Sequence, residues 1–193
     1  MTATPYRSVI RGTGSYLPEG LVTNQYLESI VDTNDQWITD RTGIRVRHKV
    51  KKNQYTSDLA YEAAKKALDM AEISASELDM ILFATVSPDQ VMPNTACVLQ
   101  QKLSAGDCMA LDVSAACSGF VYALAIADQF IKTGPTKNVL VVGAEVLTPY
   151  VNYKDRDTCI LFGDGSGAAV VSRANDNESS IIYRHHLHAQ GKI

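Results

Sequence analysis

The stretch that most constrains the fold is LDVSAACSGFVYALAIADQF, in which a short apolar run leads through small residues into a long helical pattern. Apolar side chains stand on every side of that helix, with Phe120, Val121 and Leu124 on successive faces. A helix that is apolar all round is buried on both sides. Because one sheet covers only one side, the sequence predicts a second covering layer and a larger layered object.

Apolar runs alternate with helical patterns along the chain and predict an α/β domain. Strands are expected at SVIRGTG, DMILFATVS, CMALDV and KNVLVVGAE, the last of the continuous apolar type found in parallel sheets. Thr56 or Ser57 is expected to cap an amphipathic helix, and Asn94 a second one. The third helix is expected to stop at Gly134. Two final strands, joined by a glycine-rich turn, are predicted for TCILFGDGSGAAVVSR.

Composition is typical of a single globular domain and gives no support to nucleic-acid-binding or membrane proteins. The chain has 193 residues, about one domain, with 46% hydrophobic residues and a net charge of −3. Neither a nucleic-acid partner nor an anionic membrane is favoured by that charge. The N-terminus lacks a signal-peptide pattern, and no apolar run reaches the roughly 20 residues needed to span a bilayer. We therefore expect a cytoplasmic protein without a membrane partner.

Cysteine usage gives no metal site. The four cysteines contain no C-x-x-C pair, so neither a zinc site nor a disulfide framework is favoured. Three of them, Cys97, Cys108 and Cys159, lie inside apolar patterns and are predicted to be core residues.

Cys117 differs, because it stands at a turn between a strand and a helix. Free backbone N–H groups and the helix dipole favour a thiolate there. The local pattern leaves two interpretations open, a nucleophile or a small buried core residue.

Two further motifs bear on ligands. Gly163, Gly165 and Ala168 fit a dinucleotide-loop spacing, but a strand-like pair of valines follows where that loop needs a helix, so it is disfavoured. DRTGIRVRHKVKK holds seven basic side chains, His48 included, and suits either a solvated loop or a phosphorylated or acidic partner. Trp37, the sole tryptophan, lies just upstream and is suited to stack on a flat ring.

Four segments together resemble the β-ketoacyl-[acyl-carrier-protein] synthase III family of the thiolase superfamily. They are DTNDQWITDRTGIRVRH, DVSAACSGF, YKDRDTCILFGDGSGAAVV and HLHAQG, in order from about Val9 onward. The resemblance implies a thiolase-like α/β fold, with a mixed sheet and a buried central helix as part of a five-layer αβαβα arrangement. It also implies that residues 1–193 are the N-terminal half of that fold.

The resemblance implies a condensing enzyme that starts fatty-acid synthesis. Cys117 would accept an acyl group from a short acyl-CoA, and the acyl-enzyme would then condense with malonyl-acyl-carrier protein to give a 3-oxoacyl thioester. The backbone N–H of Cys117 would form half of an oxyanion hole. Acyl-CoA is a substrate in this reaction, so no cofactor is expected.

Further residues are implied by the same motifs. Trp37 would stack on the adenine of coenzyme A, while Thr33, Arg41 and Arg156 would hold its nucleotide and phosphates. Met92 would reach across a homodimer into the acyl pocket of the partner.

The chain departs from the family pattern in one respect. The histidine, the asparagine and the glycine N–H that complete the reaction belong to the second half of the family fold, which this sequence does not contain. Full turnover by this chain alone is therefore not expected. It is interpreted as half of a complete synthase, as half of a split enzyme, or as a non-catalytic product that self-associates or binds acyl-CoA. A secondary-metabolism acyltransferase of the same fold is the alternative function.

Overall fold

The computed structural model describes residues 6–134, 136–178, 182 and 184–191. The strands within these residues are β1 (Ser8–Tyr16), β2 (Gly20–Thr23), β3 (Val46–Lys49), β4 (Met80–Ala84), β5 (Met109–Val113), β6 (Asn138–Val146) and β7 (Asp164–Arg173). The α-helices are α1 (Asn24–Glu28), α2 (Asp35–Thr42), α3 (Thr56–Ala71), α4 (Thr95–Leu103) and α5 (Gly119–Thr133).

Five strands form one mixed sheet in the order β1-β7-β6-β4-β5, and β2 and β3 form a separate antiparallel pair. Strand β4 runs parallel to both β5 and β6, while β7 is antiparallel to β6 and to β1. The carboxyl ends of β4, β5 and β6 therefore meet at one edge of the sheet, called the carboxyl edge below. The prediction of a mixed sheet is confirmed.

Strand β4 lies at the centre of the packing, and all five of its residues are buried. Ile81 and Phe83 pack with the apolar faces of α3 and α4. Met80 and Leu82 face the other way and pack with α5. Burial on both faces explains why the strand reads as a continuous apolar run.

Helix α3 packs unusually close to β1. A Cβ atom at Gly12 would stand 2.2 Å from the Ala67 carbonyl oxygen, and one at Gly14 would stand 2.2 Å from the Ala63 carbonyl oxygen. Alanines supply most of the buried face of α3, because larger side chains would hold the helix away from the strand. Glycine on the strand and alanine on the helix thus set the distance between these layers.

Helix α5 is covered less completely than its sequence predicts. Its inner face packs on the sheet, but Val121 is 49% exposed and Phe130 is 38% exposed. Among the described residues, Ile182 packs against the cluster that includes α5, and the Tyr122 hydroxyl on the outer side donates to the His188 carbonyl oxygen at 3.2 Å. The second layer that the pattern predicts is therefore only partly supplied by the residues described.

Asp128 is the one charged side chain on the buried side of α5 that the structure describes as fully buried. Burial by itself would raise the pKa of this carboxyl, but hydrogen bonds from Lys132, Ser8 and His185 outweigh that effect and lower the pKa below its ordinary value. The carboxylate is thus satisfied inside the fold and ties α5 to the start of β1 and to the segment that follows β7.

Three predictions about the elements need correction. The run TCILFGDGSGAAVVSR contains one strand, β7, and not the two predicted. Its first part is not a strand, because Cys159 and Ile160 are buried in a small cluster with Val22 and Ile38 and not in the sheet. Elements β2, α1, α2 and β3 were not predicted. The N-cap residue of helix α3 is Tyr55, so the prediction that Thr56 or Ser57 caps this helix is wrong.

Other local predictions are confirmed. The Asn94 side chain accepts the Cys97 backbone N–H at 3.0 Å, and α5 ends at a Gly134 cap. Gly165 and Ala168 lie within strand β7, where a dinucleotide loop would need the start of a helix, which agrees with the rejection of that loop. The helices formed by the described residues are all too short or too polar to cross a bilayer.

The close approach of α3 to β1 predicts different outcomes at two glycines of the sheet. Gly14→Ala should lower the free energy of unfolding by about 3 kcal/mol, because the new methyl group meets helix backbone that cannot move aside. Gly167→Ala is the matched control, since a Cβ atom there would stand an ordinary 3.9 Å from the Gly14 carbonyl oxygen. Denaturant titrations followed by circular dichroism measure both. Equal losses at the two positions would contradict the packing described here.

Candidate active site

Cys117 lies in a single turn of 3-10 helix, Ala116–Ser118, that joins β5 to α5. Its side chain is exposed, so the interpretation as a buried core residue is wrong. The preceding Ala116 has a φ of 45°, a left-handed conformation that costs a non-glycine residue about 1–2 kcal/mol. A tight, strained turn therefore presents the sulfur to solvent at the carboxyl edge.

The turn rests directly on the end of β4. A Cβ atom at Gly119 would stand 3.1 Å from the Cβ of Ala84 and 3.5 Å from the Val113 carbonyl oxygen. Thr85 continues this support, because its backbone N–H donates to the same carbonyl oxygen at 3.3 Å. Helix α5 begins at Gly119, directly after the cysteine turn, so the positive end of its dipole lies next to Cys117, as the strand–turn–helix pattern predicts. The Gly119 backbone N–H itself donates to the Ala116 carbonyl oxygen.

A cavity of about 250 Å³ opens at the same edge, just after β6. Its apolar lining includes Leu147, Val151 and Phe162, none of which the sequence identified as a site residue. Their place in the sequence could have identified two of them, because Leu147 directly follows strand β6 and Phe162 lies two residues before β7. An apolar cavity at the carboxyl ends of parallel strands is the usual place for a ligand in an α/β fold.

Asp164 fixes the loop that forms this cavity. Its buried carboxylate accepts the backbone N–H groups of Leu147, Thr148 and Val50, each at 2.8 Å, and the Thr148 hydroxyl at 2.7 Å. One side chain thus joins the end of β6, the start of β7 and the end of β3.

A second group of predicted residues does come together. The guanidinium carbons of Arg41 and Arg156 lie 4.2 Å and 4.1 Å from the centre of the Trp37 ring. These three residues are called the indole clamp below. Cation–ring contacts of this kind are attractive, and they are strongest with tryptophan.

Two polar atoms beside the clamp have no hydrogen-bond partner among the described residues. They are the Thr33 hydroxyl, just before α2, and the Nε of Arg156, and both atoms are buried. An unpaired buried polar group is costly, and a ligand that supplies a partner removes the cost. The clamp and these groups therefore suit a flat ring that carries polar or anionic substituents.

The predicted basic cluster is divided by the structure. Arg41 faces the indole, Arg45 is exposed, and Arg47 is 4% exposed with its guanidinium donating to the Ile160 carbonyl oxygen and to Asn24. Burial lowers the pKa of Arg47. For Arg47, the prediction of a solvated or ligand-facing side chain is wrong, because its hydrogen-bonding groups are turned into the protein.

Met92 lies in the loop between β4 and α4. Its side chain is 83% exposed and that of Val91 is 95% exposed. Two neighbouring apolar side chains left this open form an apolar finger, the name used for them below.

The remaining cysteines are less open than Cys117. Cys97 and Cys108 are half-buried and Cys159 is buried. Burial raises the pKa of the Cys108 thiol and of the Cys159 thiol. The described residues contain no group of three or more side chains suited to hold a metal ion.

Comparison with known proteins gives consistent relatives. The family model for 3-oxoacyl-[acyl-carrier-protein] synthase III matches residues 111–191. A β-ketoacyl-[acyl-carrier-protein] synthase III of Xanthomonas euvesicatoria pv. vesicatoria is 54% identical over 95% of this chain and 56% of the relative. One from Caldanaerobacter subterraneus is 57% identical over 85% of this chain and 50% of the relative. The chain spans about half the length of the curated relatives it matches.

Solved structures agree and confirm the thiolase-like fold expected from the resemblance. The 3-oxoacyl-[acyl-carrier-protein] synthase III of Aquifex aeolicus has a TM-score of 0.85 and 54% identity, over 88% of this chain and 55% of that one. A priming β-ketosynthase from a polyketide pathway has a TM-score of 0.86 and 33% identity, over 90% of this chain and 52% of that one. By sequence and by fold, this chain belongs to the 3-oxoacyl-[acyl-carrier-protein] synthase III family.

Proposed function

We propose that this chain carries the acyl-accepting part of a condensing enzyme that starts fatty-acid synthesis. The observation that carries the proposal is the exposed Cys117 thiol, presented on a strained turn beside the start of α5. Family membership gives this geometry its chemistry, since the relatives are named as synthases that act on acyl-carrier protein.

In the first step, the Cys117 thiolate attacks the carbonyl carbon of a short acyl-CoA. The carbon–sulfur bond to coenzyme A then breaks, the acyl group stays on Cys117, and coenzyme A leaves as a thiolate that takes up a proton. We assign the Cys117 backbone N–H to the oxyanion that forms on the way, as the family resemblance implies. The cavity beside Leu147 and Phe162 is assigned to the acyl chain, since it is apolar and lies at the same edge.

The indole clamp is assigned to the nucleotide of coenzyme A. Trp37 offers a ring on which the adenine would stack by replacing one of the two guanidinium groups beside it, while Arg41 and Arg156 offer charge for the phosphates. The unpaired Thr33 hydroxyl is a further polar group for the same ligand. Acyl-CoA is consumed as a substrate, so the proposal includes no cofactor.

In the second step, malonyl-acyl-carrier protein would lose CO2, and its carbanion would attack the acyl group on Cys117 to give a 3-oxoacyl thioester and the free thiol. The histidine and asparagine that the resemblance assigns to this step match no residue of the sequence. The second step is therefore proposed for a protein in which this chain is joined, covalently or as a complex, to a half that supplies them.

A second candidate is priming of a secondary-metabolism pathway, which the similarity to the polyketide priming enzyme favours. Identity is 33% to that enzyme and 54% to the Aquifex synthase, which favours fatty-acid synthesis. Acylation of Cys117 measured across acetyl, branched and longer acyl-CoA thioesters tests the first proposal, which expects transfer from the short chains.

We further propose that the functional unit is a homodimer. Strand β5 lies at the edge of the sheet as described, with Met109 48% exposed, and such an edge offers backbone groups for pairing with a second strand. The apolar finger of Val91 and Met92 gives a second exposed surface for the same contact.

Alkylation should identify Cys117 as the reactive thiol. At pH 8 iodoacetamide should modify Cys117 about tenfold faster than Cys108 or Cys159, because the raised pKa of those two thiols leaves less thiolate at that pH. Peptide mass mapping over time measures the order of labelling.

Prior incubation with acetyl-CoA should add one acetyl group to Cys117 and protect it from the reagent. Cys117→Ser is the control and should abolish both the fast labelling and the acetyl transfer. Acetyl transfer that persists in this variant would show that the nucleophile lies elsewhere.

Removing one side of the indole clamp should weaken coenzyme A binding. Arg156→Ala is expected to raise the dissociation constant for coenzyme A about tenfold, through loss of a charged contact to the ligand, as measured by titration calorimetry. Arg45→Ala removes an exposed charge from the neighbouring segment and should leave the constant unchanged. An unaltered constant in Arg156→Ala would refute its assignment to the nucleotide.

Placing a charge on the apolar finger should weaken self-association. Met92→Asp removes an apolar contact that a two-fold interface makes twice, so the dimer dissociation constant should rise about 100-fold. Sedimentation velocity over a concentration series measures it. Met70→Asp, at an exposed methionine on α3, is the control. Equal dimerisation of both variants would exclude the finger from the interface.

A further inference from the structure

We propose that Arg47 and Asn24 are positioning residues that hold the two arginine-bearing segments of the indole clamp in register. The ligand named in this proposal rests on the proposed function, because coenzyme A is assigned to the clamp there. The arrangement itself stands on hydrogen bonds among buried side chains.

Asn24 controls the helix that carries Trp37 and Arg41. It is fully buried at the start of α1, and its amide nitrogen donates to Asp35 Oδ1 at 2.6 Å and to the Ile44 carbonyl oxygen at 3.0 Å. Asp35 is the first residue of α2, and Ile44 follows the glycine that caps its end. One amide group therefore fixes α2 at both of its ends.

Arg47 connects this amide to the segment that carries Arg156. Its Nη1 donates to Asn24 Oδ1 at 2.5 Å, and its Nε donates to the Ile160 carbonyl oxygen at 2.8 Å. The planar guanidinium holds these two acceptors in a fixed relation, which the flexible ammonium of a lysine does not do.

Ile160 is coupled in turn to Arg156 through a compact turn. The Cys159 backbone N–H donates to the Asp155 carbonyl oxygen at 3.0 Å, and Ile160 itself is buried. Gly163 lets this segment pass close to β3, since a Cβ atom there would stand 3.1 Å from the Cβ of Arg47. A path of contacts thus runs from the turn that carries Arg156 through the buried Ile160 and Arg47 to α2.

The consequence concerns the spacing within the clamp. Arg41 and Arg156 come from segments far apart in the chain, yet both guanidinium groups lie about 4 Å from the same indole ring. Arg47 and Asn24 are the polar link between those segments, and neither faces the ligand space. They act on the ligand through the residues they position.

A purely structural role for Arg47 would lower stability without altering the clamp in the folded protein. Trp37 separates the two roles, because it is the only tryptophan and its fluorescence reports the clamp directly. The test compares Arg47→Lys, which keeps the charge and loses the fork, with Arg45→Lys, which makes the same change at an exposed site. Both are measured at a temperature where circular dichroism shows them folded.

In Arg47→Lys the emission of Trp37 should shift to longer wavelength, its quenching by acrylamide should become faster, and coenzyme A should bind on the order of tenfold more weakly. Arg45→Lys should match the unchanged protein in all three. Unchanged emission and quenching in folded Arg47→Lys would overturn the proposal. If the unchanged protein fails to bind coenzyme A, the proposed function fails, while the fluorescence still decides the positioning role.

A second pair of variants avoids the buried arginine. Asp35→Ala removes one acceptor of the Asn24 amide, whereas Asp35→Asn keeps an acceptor oxygen at the same place. The alanine variant should show the same shift and faster quenching to a smaller degree, and the asparagine variant should restore both. Identical spectra for the two variants would contradict the role of Asn24.

Discussion

Burial of β4 on both faces is the constraint on which the rest of the fold depends. Residues on one face pack with α3 and α4 and those on the other with α5, so a single strand sets the separation of three layers. Its parallel neighbours β5 and β6 end at the same edge. The cysteine turn and the apolar cavity are close to one edge for that reason, although they come from different parts of the chain.

Polar side chains that are buried or half-buried fix the conformation of the loops, as apolar packing fixes the sheet. The buried Asp164 holds the loop after β6, and the half-buried Glu145 accepts the Val86 backbone N–H at 2.9 Å in the segment after β4. Arg47 does the same for the segment before β7. Loops without regular hydrogen bonding gain a fixed shape in this way, because a buried donor without its acceptor would cost 1–3 kcal/mol.

Apolar runs and periodicity predicted the main elements, namely β4, β5, β6 and the three long helices, although β5 is a half-exposed edge strand and not the buried one that its apolar run suggests. The short elements between residues 20 and 49 escaped it, because each has few residues on which a period shows. The run that ends at Phe162 was predicted as a strand because it is apolar. Its buried residues pack in a small separate cluster and not in the sheet, and an apolar run looks the same in either place.

The site was predicted unevenly. The position of Cys117 followed from a local pattern, while the meeting of Trp37 with Arg156 came only from the family resemblance, because no local spacing links them. The burial of Arg47 ran against the expectation for a charged residue in a basic segment. Its partners Asn24 and Ile160 lie on other elements, and contacts of that kind are set by the tertiary fold.

The left-handed Ala116 has a consequence for how the thiol meets any partner molecule. The backbone around Cys117 has given up its freedom during folding, and the energy stored there is balanced by the contacts of β4, β5 and α5. When an electrophile reaches the sulfur, little further conformational entropy of the protein is therefore lost. The entropy of arranging the nucleophile is lost once, when the chain folds, and not again at each encounter.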